Sequence, residues 1–308
     1  MKKKYLLLSL ALTGSMAAQV AAGPNRPANV PEGYVITPFG YFHSSCVQAI
    51  ASSDKLLADG RVQHASGAIT PAATCTQPHF APNGTPKVEG KVTPTDTGWQ
   101  EDASMVAPAG KSFSGIANTN VVPPNPLNIE GQTLFFFPGL EDVNDPNTSI
   151  LQPVLAWNGF GDNAWTMANW NCCLSGITTY STPFTTAPGH WIISYTSPNC
   201  RSSTVSCPTW NIYSYDTSNH QSTALNHTPS QGQVFNWAFE GVIKVYGVNN
   251  CNDYPNNKNG ETYFTGFYDE QGRLVTNPKW TQSVDTTASP DCGFKLKVQP
   301  YEITLGYN

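Results

Sequence analysis

Glu240 and Gln152 have the side-chain types that hydrolysis requires, and both stand in strongly apolar surroundings. Glu240 follows Trp237-Ala238-Phe239 inside the stretch 234–248, and Gln152 follows Ile150-Leu151 inside 150–157. A carboxyl shielded from water holds its proton to higher pH, which suits a group that must both take and give a proton. A fixed neutral amide can orient a water and donate its N–H where an oxyanion develops. Glu141 is the other acid of interest, and with Glu240 it forms the one carboxylate pair suited to a two-carboxylate hydrolase.

Both residues fall on predicted strands. Side chains alternate across a strand, so Leu151, Pro153, Leu155 and Trp157 face one way and Gln152, Val154 and Ala156 the other. In the later stretch the same parity places Phe235, Trp237, Phe239, Gly241, Ile243 and Val245 on one face. Glu240, Val242, Lys244 and Tyr246 then share the opposite face. Lys244 on the face of Glu240 opens a plainer reading, an exposed acid–base couple, and a paired lysine would hold that carboxyl ionised.

The texture from Phe113 onward is short apolar or alternating runs broken by turn residues, at 133–137, 150–157, 165–170, 191–196, 210–215 and 234–248. Ten or more such strands with no long helical period predict an all-β, antiparallel two-sheet β-sandwich, 93–308. Residues 23–92, rich in Pro, Ala and Gly, predict a mostly irregular N-terminal segment: a leader, a small appended unit or a propeptide, with a short helix near Cys46 to Leu57. Residues 1–22 read as an export signal, with Lys2, Lys3 and Lys4, an apolar run from Leu6 to Leu12 and the small residues Val20-Ala21-Ala22. The short lysine-rich form has a bacterial look, so the chain is expected outside the cytoplasm, extracellular or periplasmic.

Charged residues are 12% of the chain and the net charge is −5. With no Lys/Arg cluster beyond the signal, a nucleic-acid partner is not expected, and no later stretch reaches the ~18 apolar residues of a membrane helix. Eight cysteines, at 46, 75, 172, 173, 200, 207, 251 and 292, favour disulfides in an exported chain. Spacing favours Cys200 with Cys207 and Cys251 with Cys292. Cys172 and Cys173 could bridge each other or take Cys46 and Cys75. No CxxC pair or HxxxH occurs, so neither a metal nor another cofactor is expected.

Taken in chain order, these segments resemble the eqolisins, or scytalidoglutamic peptidases. Ile150-Leu151-Gln152 is similar to the family's glutamine motif, and Trp237-Ala238-Phe239-Glu240 to its glutamate motif. Ser114 to Pro123, Phe137-Pro138-Gly139-Leu140-Glu141, and Pro188-Gly189-His190-Trp191-Ile192 resemble its flanking segments, and the similarity covers roughly 95–270. The resemblance implies a concanavalin-like sandwich with a site on a concave sheet face, acting as an acid-acting endopeptidase on polypeptides. It implies Glu240 as general base and then acid, Gln152 as water-orienting and oxyanion-binding amide, and Glu141 as an electrostatic modulator. Trp99, Phe137, Trp165 and Trp170 would line the cleft. Catalysis on these terms needs Gln152 and Glu240 within about one water of each other.

A second class of function is a secreted, non-catalytic sandwich that binds carbohydrate or a cell-surface protein. Eight Trp and thirteen Tyr are compatible with sugar stacking. No GxSxG elbow and no phosphate-binding glycine loop is present.

Overall fold

A computed structural model describes residues 26–87, 98–144, 149–200 and 206–307; the expected export signal lies outside them. Two large, mostly antiparallel sheets of nine and ten strands make the sandwich, and a small four-stranded sheet accompanies them. The expected runs all become strands: Thr133–Glu141, Ile150–Trp157, Trp165–Leu174, Trp191–Pro198, Thr209–Asp216 and Trp237–Tyr246. Among the described residues no helix is long and apolar enough to cross a membrane.

The nine-stranded sheet carries the candidate residues. Its central strands run in the order Trp99–Val106, Trp237–Tyr246, Thr133–Glu141, Ile150–Trp157, Trp165–Leu174. These strands are buried on both faces, which explains their near-continuous apolar character. Toward the second sheet they send Leu134, Phe136, Leu155, Trp157, Trp165, Met167 and Ile243. On the opposite, outer face lie Phe135, Phe137, Val154, Ala156, Ala168, Trp170, Trp237, Phe239, Val242 and Tyr246.

The outer face is apolar because the N-terminal residues cover it. The hairpin Tyr34–Thr37 and Gly40–His43 contributes Tyr34, Val35, Ile36 and Tyr41 to the outer cluster, and Phe80 joins them. Most of 26–87 lies outside strands, yet its short strands tie into both layers. Val47–Ile50 runs parallel to Ile177–Ser181 in the nine-stranded sheet, and Lys55–Leu56 joins the ten-stranded sheet through Asn226. In place of the helix expected from Cys46 to Leu57 there is a single 3-10 turn, Ser44–Cys46, followed by these two strands. The β-branched Val47 and Ile50 pair readily on a sheet edge, whereas six-residue spacing between turn signals leaves no room for an amphipathic helix.

Candidate functional site

Gln152 sits at the centre of the outer face. Its neighbour on one side is Trp170, directly paired with it. On the other side the register of Leu140 with Leu151 and Phe136 with Leu155 puts Gly139 opposite it. Gly139 is required there, because a Cβ would collide with the Phe239 ring and crowd the Leu151 carbonyl. Gln152 is buried, and among the described residues nothing donates to its Oε1. A buried amide oxygen left without a donor costs about 1–3 kcal/mol and so calls for an explanation, a catalytic role among them.

Glu141 shares this face. It pairs with Trp237, whose ring belongs to the outer cluster, while Leu140 beside it points inward. The register places Glu141 opposite Ile150, one diagonal step from Gln152, a separation of about 7 Å that two long side chains span. Burial pushes its carboxyl well above the usual range, with Asp142 adding to the rise and Lys87 and Lys244 opposing it. Lys244 pairs with Phe135 and Trp99 on the same face, and burial drives its ammonium well below the usual lysine range. Asp102, which sequence reasoning passed over, faces the same way three strands from the glutamine's own; burial lifts it to about 6 against bonds from Ser283 and Ser104. Its signal was parity with Ser104, the partner of Phe239.

Glu240 points the other way. Its Oε2 accepts from Asn118 Nδ2 of the second sheet at 2.9 Å, and its Oε1 from the Gly241 N–H at 2.9 Å. It is fully buried between the sheets, and desolvation lifts its carboxyl to about 7. The structure therefore does not bring Gln152 and Glu240 together; they occupy opposite faces of one sheet. The physical reason is a bulge. Gly241 has φ of +61°, and between the pairs Phe137–Val242 and Gly139–Phe239 two residues, Glu240 and Gly241, oppose the single Pro138. Proline lacks the N–H that regular pairing would use there. Beyond the bulge parity is reversed, so Val242, Lys244 and Tyr246 share the face of Trp237 and Phe239, and Lys244 is no partner of Glu240.

Of the expected cleft aromatics, Trp99, Phe137 and Trp170 belong to the outer face. Trp99 packs on Trp237 at 5.8 Å and Phe239 at 4.9 Å, and Trp170 on Tyr180 at 4.8 Å. Trp165 does not line this face. It is buried between the sheets against Phe136 and Trp157. Five residues separate it from Trp170, so alternation alone sends the two to opposite sides.

The N-terminal hairpin closes over the site. Tyr246 donates its hydroxyl to the Thr37 carbonyl at 2.9 Å, Tyr41 meets the Tyr246 ring at 5.3 Å, and Phe39 meets Trp170 at 6.2 Å. Lys87, at the end of the covering sheet, is the cation that acts most on Glu141. Four disulfides staple the molecule: Cys46–Cys75, Cys172–Cys173, Cys200–Cys207 and Cys251–Cys292. The two pairs favoured by spacing form, and of the open alternatives the adjacent cysteines bridge each other. Among the described residues no cluster of His, Cys, Asp and Glu could hold a metal ion.

No protein-family model matches the chain, and no curated protein matches it significantly. Among solved structures it is similar to scytalido-glutamic peptidase with a peptide-based transition-state analogue, at 13% identity and a TM-score of 0.46. It is likewise similar to scytalido-glutamic peptidase with a transition-state analogue inhibitor, at 14% identity and a TM-score of 0.47. Each match covers 68% of this chain and 98% of that chain. This is a remote, eqolisin-like resemblance in fold, and the residue assignments rest on the geometry described above.

Proposed function

We propose that the chain is an exported, acid-acting endopeptidase made in a covered form, with its reactive pair on the outer face of the nine-stranded sheet. The observation that carries this is the adjacency of Glu141 and Gln152, a buried carboxyl and an amide with an unanswered oxygen, one diagonal step apart. Glu141 takes a proton from the attacking water and returns it to the leaving amine. Gln152 accepts from that water through its free oxygen and offers its N–H to the oxyanion. Trp99, Phe137 and Trp170 bind the side chains of a polypeptide substrate. Glu240 has a structural part, tying the two sheets through Asn118.

Within residues 23–92, the hairpin 34–43 acts as a cover that lifts from the domain 93–308, while Val47–Ile50 and Lys55–Leu56 stay paired in the two large sheets. While the hairpin is in place, desolvation keeps Glu141 protonated and unable to act as base. Opening lets water reach the carboxyl, lowers its pKa and exposes the aromatic face together. The test is hydrolysis of a denatured protein between about pH 2 and 7, with the chain's own N-terminal cleavage followed beside it. Hydrolysis that begins as the cover is released, and that Gln152→Ala removes, supports the proposal. A released chain that cleaves no peptide bond at any pH overturns it.

A further inference from the structure

The solvent side of the ten-stranded sheet carries a second candidate surface, remote from the proposed peptidase face. Five neighbouring strands make it: Glu261–Asp269, Phe113–Val121, Trp191–Pro198, Thr209–Asp216 and Ser222–Pro229. Their inward positions are buried in the sandwich, and their outward positions alternate with them. Four large aromatics stand outward and exposed: Trp191 at 44%, Tyr195 at 47%, Tyr213 at 37% and Phe264 at 45%. An isolated exposed aromatic is ordinary, but four on one sheet face form a patch.

Register makes the patch continuous. Tyr195 pairs directly with Tyr213, and Trp191 lies near Phe264 with ring centroids 6.5 Å apart and planes within 22° of parallel. Trp191 and Tyr195 lie four residues apart on one strand, roughly 13 Å. Tyr195 and Tyr213 are flanked in their row by Ala117 and Ala224. These small residues leave the rings standing above the sheet.

The charge of this face narrows what it binds. The five strands contain no Lys or Arg, and the charges nearest the patch are on the flanking strands, Glu302 paired with Phe264 and Lys55 with Asn226. Of the three acids within the five, Asp216 and Glu261 point inward and are buried, and Asp269 sits at a strand end paired with Arg273. The remaining outward side chains are chiefly Ser, Thr and Asn, which donate and accept hydrogen bonds without charge. Protein-binding patches are enriched in arginine among their aromatics, and these strands have none. Flat aromatic area with neutral hydroxyls and amides matches a ligand that is itself neutral, has apolar C–H faces and carries many hydroxyls.

We propose that this face binds neutral polysaccharide, its aromatic rings stacking on sugar faces of extended chains presented at a surface. The site would hold the protein on a glycan matrix while the opposite sheet remains free to act. The two sites are on separate sheets, so the proposal stands whether or not the chain cleaves peptides.

The full disulfide-bonded chain would be mixed with microcrystalline cellulose and with chitin, using polygalacturonate as the charged control. Retention on cellulose, chitin or both is expected, with little on the charged polymer. Trp191→Ala and Tyr195→Ser should each weaken retention roughly tenfold, while Tyr195→Phe keeps it because the ring remains. Thermal unfolding of the variants, at these exposed positions, should match the parent, which separates lost binding from lost folding. Absence of retention on both neutral polymers overturns the proposal, as does retention that ignores the aromatic variants. Sedimentation showing a dimer that Trp191→Ala dissociates would also overturn it, assigning the face to a second copy of the chain.

Discussion

The two faces of the nine-stranded sheet both carry buried acids with raised pKa values, yet they invite opposite interpretations. Between the sheets, Glu240, Glu101 and Glu261 are lifted to about 7, 8 and 7 by desolvation. Each accepts hydrogen bonds there, Glu240 from Asn118, Glu261 from Tyr307 and Asn257, and Glu101 from the Lys295 N–H at one oxygen, while its Oε2 has no partner among the described residues. On the outer face, Glu141 is lifted as well, its neighbour Gln152 keeps an amide oxygen without a donor among the described residues, and the layer above it is a small four-stranded sheet. A shifted pKa marks burial on both faces. Unpartnered buried polar atoms occur on both faces, and what sets the outer face apart is a cover that a local opening could lift.

The sharpest way to break this comparison is substitution within the outer pair. Glu141→Gln should lower kcat/KM for peptide hydrolysis by about 10²- to 10⁴-fold, and Gln152→Ala by about 10²- to 10³-fold, with unfolding temperatures little changed. Next in size, Trp165→Ala should cost about 3–5 kcal/mol in denaturant unfolding because it empties the inter-sheet core. Trp170→Ala should instead shift KM for aromatic-rich peptides, provided the cover has been released.

Glu240 supplies a smaller, pH-dependent effect with a definite sign. Its folded pKa of about 7 lies above the unfolded value of about 4.3, so the folded state binds more protons between them. The stability it contributes is fully present below about pH 4 and is lost as pH rises through 7, a loss of roughly 3–4 kcal/mol by pH 8. Urea unfolding of Glu240→Gln should therefore show a flatter pH profile than the parent. Glu101 and Glu261 act in the same direction, whereas His79, lowered to about 4 by burial, contributes stability that is lost as pH falls toward that value. The smallest effect is at the cover: Tyr246→Phe removes the bond to Thr37 and should ease opening by about 1 kcal/mol, seen as faster hydrogen exchange in 34–43.

Much of this arrangement was legible in the residues. Alternation in 150–157 gave the face of Gln152, and the runs around it gave the sandwich, because strands packed on both sides leave dense apolar segments. The inter-sheet position of Trp165 was also readable, being an odd number of residues from Trp170. Glu240 was harder, since parity holds only while pairing is regular. Gly241 directly after it was the available sign, because glycine inside a strand often marks a bulge. The covering role of 34–43 had no sequence signal of its own: four-residue strands between glycines look like loop until their partners are known.

The central claim is that the working carboxyl is Glu141 and not Glu240, and one assay separates them. Hydrolysis of a denatured protein between about pH 2 and 7 would be measured for the parent, Glu141→Gln and Glu240→Gln, each after release of the cover. Activity lost with Glu141→Gln and retained at acid pH with Glu240→Gln is the predicted result. Activity retained with Glu141→Gln and abolished with Glu240→Gln, in a variant that still folds, would contradict it.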